Sequence, residues 1–244
     1  MNLLEKKAYV AENLHYVPAE ELEAFHQNFA WVYTRNSACI EGYEISTEEV
    51  VSITKGMGFS VKRDGTLVRS VYNHYLAYKD VKEKADSNPV LTEDYLKDLH
   101  ELLMNGIIPG GLYRNVNITI KGSNHIPCDY VKVYDRMNKF FFDINNYQGD
   151  VLDKVCYAHL QIAKIHPFLD GNGRLARLMM NYFLIANGFL PVSISRKTKV
   201  RTAYFASLEA FKVEKTMEPF KALLVELLNN EYDRLINLIN QFKK

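Results

Sequence analysis

The chain has 244 residues, 48% of them hydrophobic, which is ample for the core of one large domain or two small ones. Thirty lysines and arginines against 29 aspartates and glutamates leave a formal charge of +1, so no electrostatic footprint for nucleic acid or an anionic membrane is present. Cys39, Cys128 and Cys156 form neither a disulfide framework nor a metal-ligand pattern, Met1 to Val10 lacks a signal-peptide apolar region, and no apolar run spans a bilayer; a soluble, cytoplasmic protein is expected.

In chain order, residues 20–42 read as a helix with an apolar stripe of Leu22, Phe25, Phe29, Val32 and Tyr33, ended by Gly42. Within its last turns Ser37 and Glu41 are four apart and share a face. A glutamate there sits at the unfavourable end of the helix dipole. Thr47 reads as the cap of a helix that Lys55-Gly56-Met57-Gly58 breaks. Leu67 to Lys84 is a further helix, with Val68, Val71, Tyr75 and Tyr78 on one side, and Asp86-Ser87-Asn88-Pro89 is a turn. Thr92 caps a helix running to about Met104 with Leu96, Leu99 and Leu103 inward. His74 and His100 on these stripes read as structural histidines rather than ligands.

Between residues 106 and 134 the character changes. Gly106, Pro109, Gly110 and Gly111 punctuate a loop, Val116 to Ile120 alternates, Lys121-Gly122-Ser123-Asn124 turns, and Asp129 to Val133 is placed to pair back. A β-hairpin flap over about 115–134 is expected, whose open edge could take an extended peptide as an added strand. Asp135 to Asn146 and Asp150 to Ile165 are helices, followed after residue 177 by helices over Lys199 to Lys212 and Pro219 to Phe242. The last of these either closes the domain or offers a dimer face. With no repeat, low-complexity tract or linker, one mainly α domain over 1–244 is expected.

Between two of these segments lies His166-Pro167-Phe168-Leu169-Asp170-Gly171-Asn172-Gly173-Arg174-Leu175-Ala176-Arg177. Val151, Val155, Ala158, His159 and Ile162 recur at helical spacing before it; Leu175, Leu178, Met179, Tyr182 and Phe183 do so after it, up to a cap signal at Asn187-Gly188. The stretch is thus the corner of a buried helical hairpin. Unpartnered N–H groups at the start of the second helix, with Gly171 and Gly173 allowing close approach, make an anion cradle. Arg174 and Arg177, three apart, aim two forked donors at whatever sits there. Asp170 is suited to hold Mg²⁺ against phosphate oxygens, and His166 is a candidate general base. Unpaired arginines on such a corner would be expensive to bury, which favours a ligand.

This stretch resembles the signature of the Fic family, His-x-Phe-x-Asp/Glu-Gly-Asn-Gly-Arg-x-x-Arg, at every fixed position. The resemblance implies a helical bundle around a central helix-loop-helix, with a small hairpin flap. It also implies AMP transfer from ATP, with Mg²⁺, to a Ser, Thr or Tyr hydroxyl of a target protein. By the same resemblance Gly171, Asn172, Gly173, Arg174 and Arg177 would hold phosphates, Asn172 through its side chain as well, and Tyr204 would line an adenine pocket; ordinary aromatic core is the alternative for Tyr204. Ser37, Glu41 and Gly42 resemble the family's inhibitory helix, so that Glu41 would pair with Arg177 and keep it from the γ-phosphate. The layout would be an inhibitory segment over 1–60, a core over 61–216 with flap 115–134 and loop 166–177, and a terminal helix over 217–244. The flap would register an extended target segment, Tyr113-Arg114, Gly122-Ser123 and His125-Ile126-Pro127 carrying that likeness. Self-modification and a homodimer are further outcomes the family allows. Removal of AMP, transfer of UMP or phosphocholine, and a nucleotide-binding regulator without turnover stand as alternatives.

Overall fold

The computed structural model describes residues 1–57, 64–87, 90–120 and 125–243. Among them the chain forms ten α-helices and no β-strand: α1 (Leu3–Asn13), α2 (Ala19–Ile40), α3 (Thr47–Thr54), α4 (Gly65–Ser87), α5 (Glu93–Met104), α6 (Val133–Asn145), α7 (Val151–Ile165), α8 (Asn172–Ala186), α9 (Thr198–Val213) and α10 (Glu218–Phe242). None is long and apolar enough to cross a membrane.

The architecture is organised by α8. From Arg174 to Leu184 every one of its residues is buried, on all sides of the helix. A helix buried all round lies inside the bundle rather than on its surface. Its neighbours are α7, which precedes it in the hairpin, and α4 and α5. Most of the apolar core gathers about this pair; a smaller cluster of Ala38, Cys39, Ile45, Val50, Ile53, Leu67 and Val71 ties the end of α2 to α3 and α4. That second cluster fixes where α2 terminates, and so where Glu41 stands.

Three expectations change. α1 was not expected; only Val10 and Asn13 of it are buried, and it is held along α10 by polar contacts, Lys6 to Asp233 (2.7 Å), Tyr9 to Asn240 (2.8 Å) and Lys243 to Asn13 (2.7 Å). Ser46, not Thr47, caps α3: its hydroxyl accepts the Glu49 N–H while the Glu49 carboxylate accepts the Ser46 N–H. α4 runs on through Asp86 and Ser87, and Asn88-Pro89 lies outside the described residues.

The hairpin is the largest correction. Its turn, 121–124, lies outside the described residues, and the arms on either side form no ladder. Asp129 accepts the Val131 N–H at 3.1 Å and so starts a 3₁₀ turn over Tyr130–Lys132 that leads into α6. Asn117 Oδ1 takes the Tyr130 N–H at 2.9 Å. Side chains satisfy the backbone that strand pairing would otherwise satisfy.

Candidate active site

The corner begins where α7 ends. His166 caps it in the left-handed conformation (φ 54°, ψ 61°), an uncommon backbone for a residue with a Cβ. That turn ends the helix and begins the loop. The imidazole Nδ1 lies 3.3 Å from the Ala163 carbonyl, an obligate acceptor, so Nδ1 carries the proton and Nε2 keeps its lone pair. Burial holds the His166 pKa down to about 4, against the Ala163 contact and the Glu41 carboxylate, which raise it. The ring is therefore a neutral base near pH 7.

Gly171 is the N-cap of α8 with φ 76°, and α8 has no side-chain cap. A Cβ on Gly171 would come within 2.8 Å of Met104 Sδ, so both the dihedral and the space require glycine. The Asn172 side chain is turned inward, against expectation. It accepts the Phe168 N–H and donates to the Phe168 carbonyl, both at 2.9 Å, and is 1% exposed. It holds the loop closed, and what Asn172 offers a ligand is its backbone N–H.

The two arginines are both buried but differently held. Arg174 donates to Ser70 Oγ of α4 at 2.7 Å and lies 3.4 Å from Asp170 Oδ2. Arg177 is 1% exposed; its Nε donates to Ser37 Oγ (3.0 Å) and its Nη2 to the Ser37 carbonyl (3.2 Å) and to Glu41 Oε1 (2.6 Å). Burial opposes the Arg177 charge, and the Glu41 carboxylate outweighs it, leaving the guanidinium more firmly protonated than usual. Gly42, with φ 96°, ends α2 just after Glu41, and the Tyr43 N–H returns to the Ala38 carbonyl (3.2 Å). Glu41 Oε1 also lies 2.8 Å from where a Gly173 Cβ would stand. A carboxylate from α2 thus covers the first turn of α8, where the cradle would receive an anion.

Asp170 Oδ1 accepts the Gly171 N–H at 2.7 Å, and the side chain is 62% exposed. No group of three or more metal-ligating side chains occurs among the described residues. One exposed carboxylate suits Mg²⁺ that arrives with phosphates and completes its shell with their oxygens and water. Tyr204 is buried among core side chains. It is 2% exposed, its hydroxyl 3.2 Å from His159 Nε2, with the Phe220 ring 6.3 Å away.

Two residues matter more than the sequence suggested. His100 of α5 is 1% exposed and stacks on Phe168 at 3.6 Å between ring centres. It accepts the Gly111 N–H at Nδ1 and donates from Nε2 to the Asp170 carbonyl, both at 2.9 Å. Since one partner is an obligate donor and the other an obligate acceptor, the tautomer is fixed and the ring is neutral. Arg114, 3% exposed, donates to the carbonyls of His166 (2.9 Å), Val116 (3.1 Å) and Cys128 (2.5 Å), while its own N–H goes to Pro167 (2.9 Å). It joins both flap arms to the loop. A histidine inside the Leu96–Leu99–Leu103 stripe was the available signal for the first; the second was marked only by the flap likeness of Tyr113-Arg114, which does not reveal its carbonyl contacts.

Comparison with known proteins bears on this geometry. Residues 90–184 match the sequence model of the Fic/DOC family. "Protein adenylyltransferase Fic" of Drosophila grimshawi is 28% identical over 163 residues, 65% of this chain and 33% of that protein. The protein of the same name from Culex quinquefasciatus is 28% identical over 244 residues, 94% of this chain and 46% of that protein. The chain therefore spans between a third and a half of the length of these curated relatives. A Fic domain containing signaling protein from Bacteroides thetaiotaomicron superposes with a TM-score of 0.86 at 19% identity, covering 98% of this chain and 96% of that one, and shows the shared fold. The chain is thus similar to Fic proteins over its core, residues 90–184, where it carries their complete loop signature, and it shares their fold.

Proposed function

We propose that this protein transfers AMP from Mg²⁺–ATP to a side-chain hydroxyl of a target protein and that Glu41 holds it inactive. The name of the curated relatives supports the activity. The observation that carries the reading is the Glu41 carboxylate itself, held 2.6 Å from Arg177 over the uncapped start of α8. It is an anion of the chain's own in the place where a nucleotide's terminal phosphate would bind.

The hydroxyl oxygen attacks the α-phosphorus in line as the bond to the pyrophosphate oxygen breaks. Its proton passes to Nε2 of His166, the nitrogen left free by the Ala163 contact. Backbone N–H groups of the α8 first turn and Arg174 receive charge on the leaving pyrophosphate, and Arg177, once free of Glu41, grips the γ-phosphate and so aligns the α-phosphorus. Asp170 would hold the substrate's Mg²⁺, which supplies further neutralisation of that charge. The segment fastened by Arg114 is read as the flap along which an extended target lies. Residues 1–244 are read as one domain with 1–60 as its inhibitory segment, and the three free cysteines accord with a cytoplasmic setting.

Hydrolysis of an AMP-modified protein is a second reading, favoured by one observation: the Glu41 carboxylate lies at the cradle beside Gly173, where it could hold a water. Mass spectrometry of wild-type and Glu41→Gly protein after ATP and Mg²⁺ tests the first reading. A 329 Da gain per modified hydroxyl in the variant, about the mass of an adenylyl group transferred with proton loss, supports AMP transfer. No AMP on the variant or on lysate proteins sinks it. Loss of AMP from a modified target with the wild type, and not with the variant, selects hydrolysis. Light scattering of the same samples reports a homodimer.

A further inference from the structure

A cavity of about 340 Å³, not used by the site above, lies between the flap segment, α6 and α7. Its walls include His125 and Ile126 of the flap, Arg136, Lys139 and Asp143 of α6, and Lys164 of α7. A water occupies about 30 Å³ of liquid, so the space holds a carboxylate side chain with waters to spare. Ile126, 78% exposed, gives it an apolar rim.

The charge inside is one-sided. Asp143 is already engaged, by Lys139 at 2.9 Å and by the Tyr157 hydroxyl at 2.5 Å. Arg136 and Lys164 have no carboxylate within ion-pair distance among the described residues. The Lys164 ammonium lies over the Phe211 ring at 5.1 Å, which orients it without neutralising it. Lys212 and Lys215 add positive charge from the end of α9 and beyond, with Glu209 acting in the opposite sense. Burial lowers the Lys164 pKa, and Lys215 and Arg136 push it the same way, as crowded like charges do. The whole chain carries only +1, so this excess is local.

Its position gives the excess a use. Ile165 lines the cavity and the next residue is His166. His125 lines it too and bonds the carbonyl of Lys164, two residues before His166, at 2.8 Å. We infer that this cavity is a subsite for an acidic side chain of the protein substrate, an aspartate or glutamate near the hydroxyl to be modified. The inference rests on the transfer reading for its role. The Arg136 fork is the matching donor for a carboxylate, with Lys164 as a point charge beside it.

The test uses the full chain and two labelled peptides, alike except that one carries glutamates and the other glutamines around a single threonine. Fluorescence anisotropy should show the glutamate peptide binding roughly tenfold tighter or better, with that preference abolished in Arg136→Glu/Lys164→Glu. Both substituted side chains are on the surface or half-buried, and circular dichroism verifies the fold. Equal affinity for the two peptides, or a preference that survives the double substitution, overturns the subsite. In the Glu41→Gly background, AMP transfer should favour the glutamate peptide by a similar factor; tight binding without faster labelling overturns the substrate role. If that background modifies neither itself nor either peptide, the transfer reading fails while anisotropy still judges the cavity.

Discussion

Glu41→Gly is the perturbation whose size can be worked from the structure. Charges about 4 Å apart attract by about 4 kcal/mol at an effective dielectric near 20. Arg177 gives little of that to solvent, its side chain being 2% exposed, but Glu41 is 31% exposed and partly screened. A net of about 2 kcal/mol lies between the roughly 3–5 measured on breaking buried pairs and the 0–1 of exposed ones. That is about a 30-fold change in the fraction of molecules with Arg177 free for a phosphate. The initial rate of AMP transfer, followed by mass or by labelled nucleotide, should rise by that order. The variant should also melt roughly 4–8 °C lower, because the buried guanidinium loses its counter-charge. Mg²⁺–ATP should restore more melting temperature to the variant than to the wild type, since a phosphate replaces the missing carboxylate. Glu41→Gln keeps a hydrogen-bond acceptor without the charge and should fall between. A variant with the parent's rate, melting point and ATP response would refute the lock.

His166→Ala in the Glu41→Gly background should lower transfer by at least about 10²-fold while leaving the fold intact, because among the described residues the ring's hydrogen bonding is limited to the Ala163 carbonyl; undiminished labelling removes it from the role. His100→Leu should speed amide exchange over 168–174 and weaken Mg²⁺–ATP binding, since each of two buried bonds lost costs about 1–3 kcal/mol. His100→Gln, whose amide can reach the Asp170 carbonyl, should restore part of both, and exchange rates unaffected by His100→Leu would count against a loop-holding part. Acid should unfold the protein progressively below about pH 6.5. Burial holds the His159 pKa at about 3, with Arg177 acting the same way, and burial, Arg177 and Arg174 hold His74 well below its ordinary 6.5. The unfolded chain therefore takes protons first as pH falls, and stability that is full above 6.5 drains away toward 3. A melting temperature flat from pH 7 to 4 would contradict this.

What was legible follows from where each residue finds its partners. The α7–α8 hairpin was readable because its apolar residues repeat at helical spacing on both sides of the loop, and the anion corner because glycine, arginine and carboxylate are each required within a few positions of one another. α1 was not, since the stripe that normally announces a helix is reduced to Val10 and Asn13. Its Asn2–Glu5 capping box was the remaining signal. The strand alternation of residues 116–120 misled because alternation alone does not reveal the Arg114 and Asn117 side chains that take up the local backbone groups. Asn172 misled in the opposite sense: its side chain carries groups a nucleotide could use and spends them on the loop, while Tyr204, open between adenine pocket and aromatic core, bonds within the bundle. The Glu41–Arg177 pair joins residues 136 apart in sequence, so only the family resemblance could suggest it. Its geometry carries one step more. Ser37 holds Arg177 through two bonds that do not involve Glu41. Removing the carboxylate therefore leaves the guanidinium aimed at the cradle, and the inhibition proposed for Glu41 works by filling the phosphate position while the arginine stays in place.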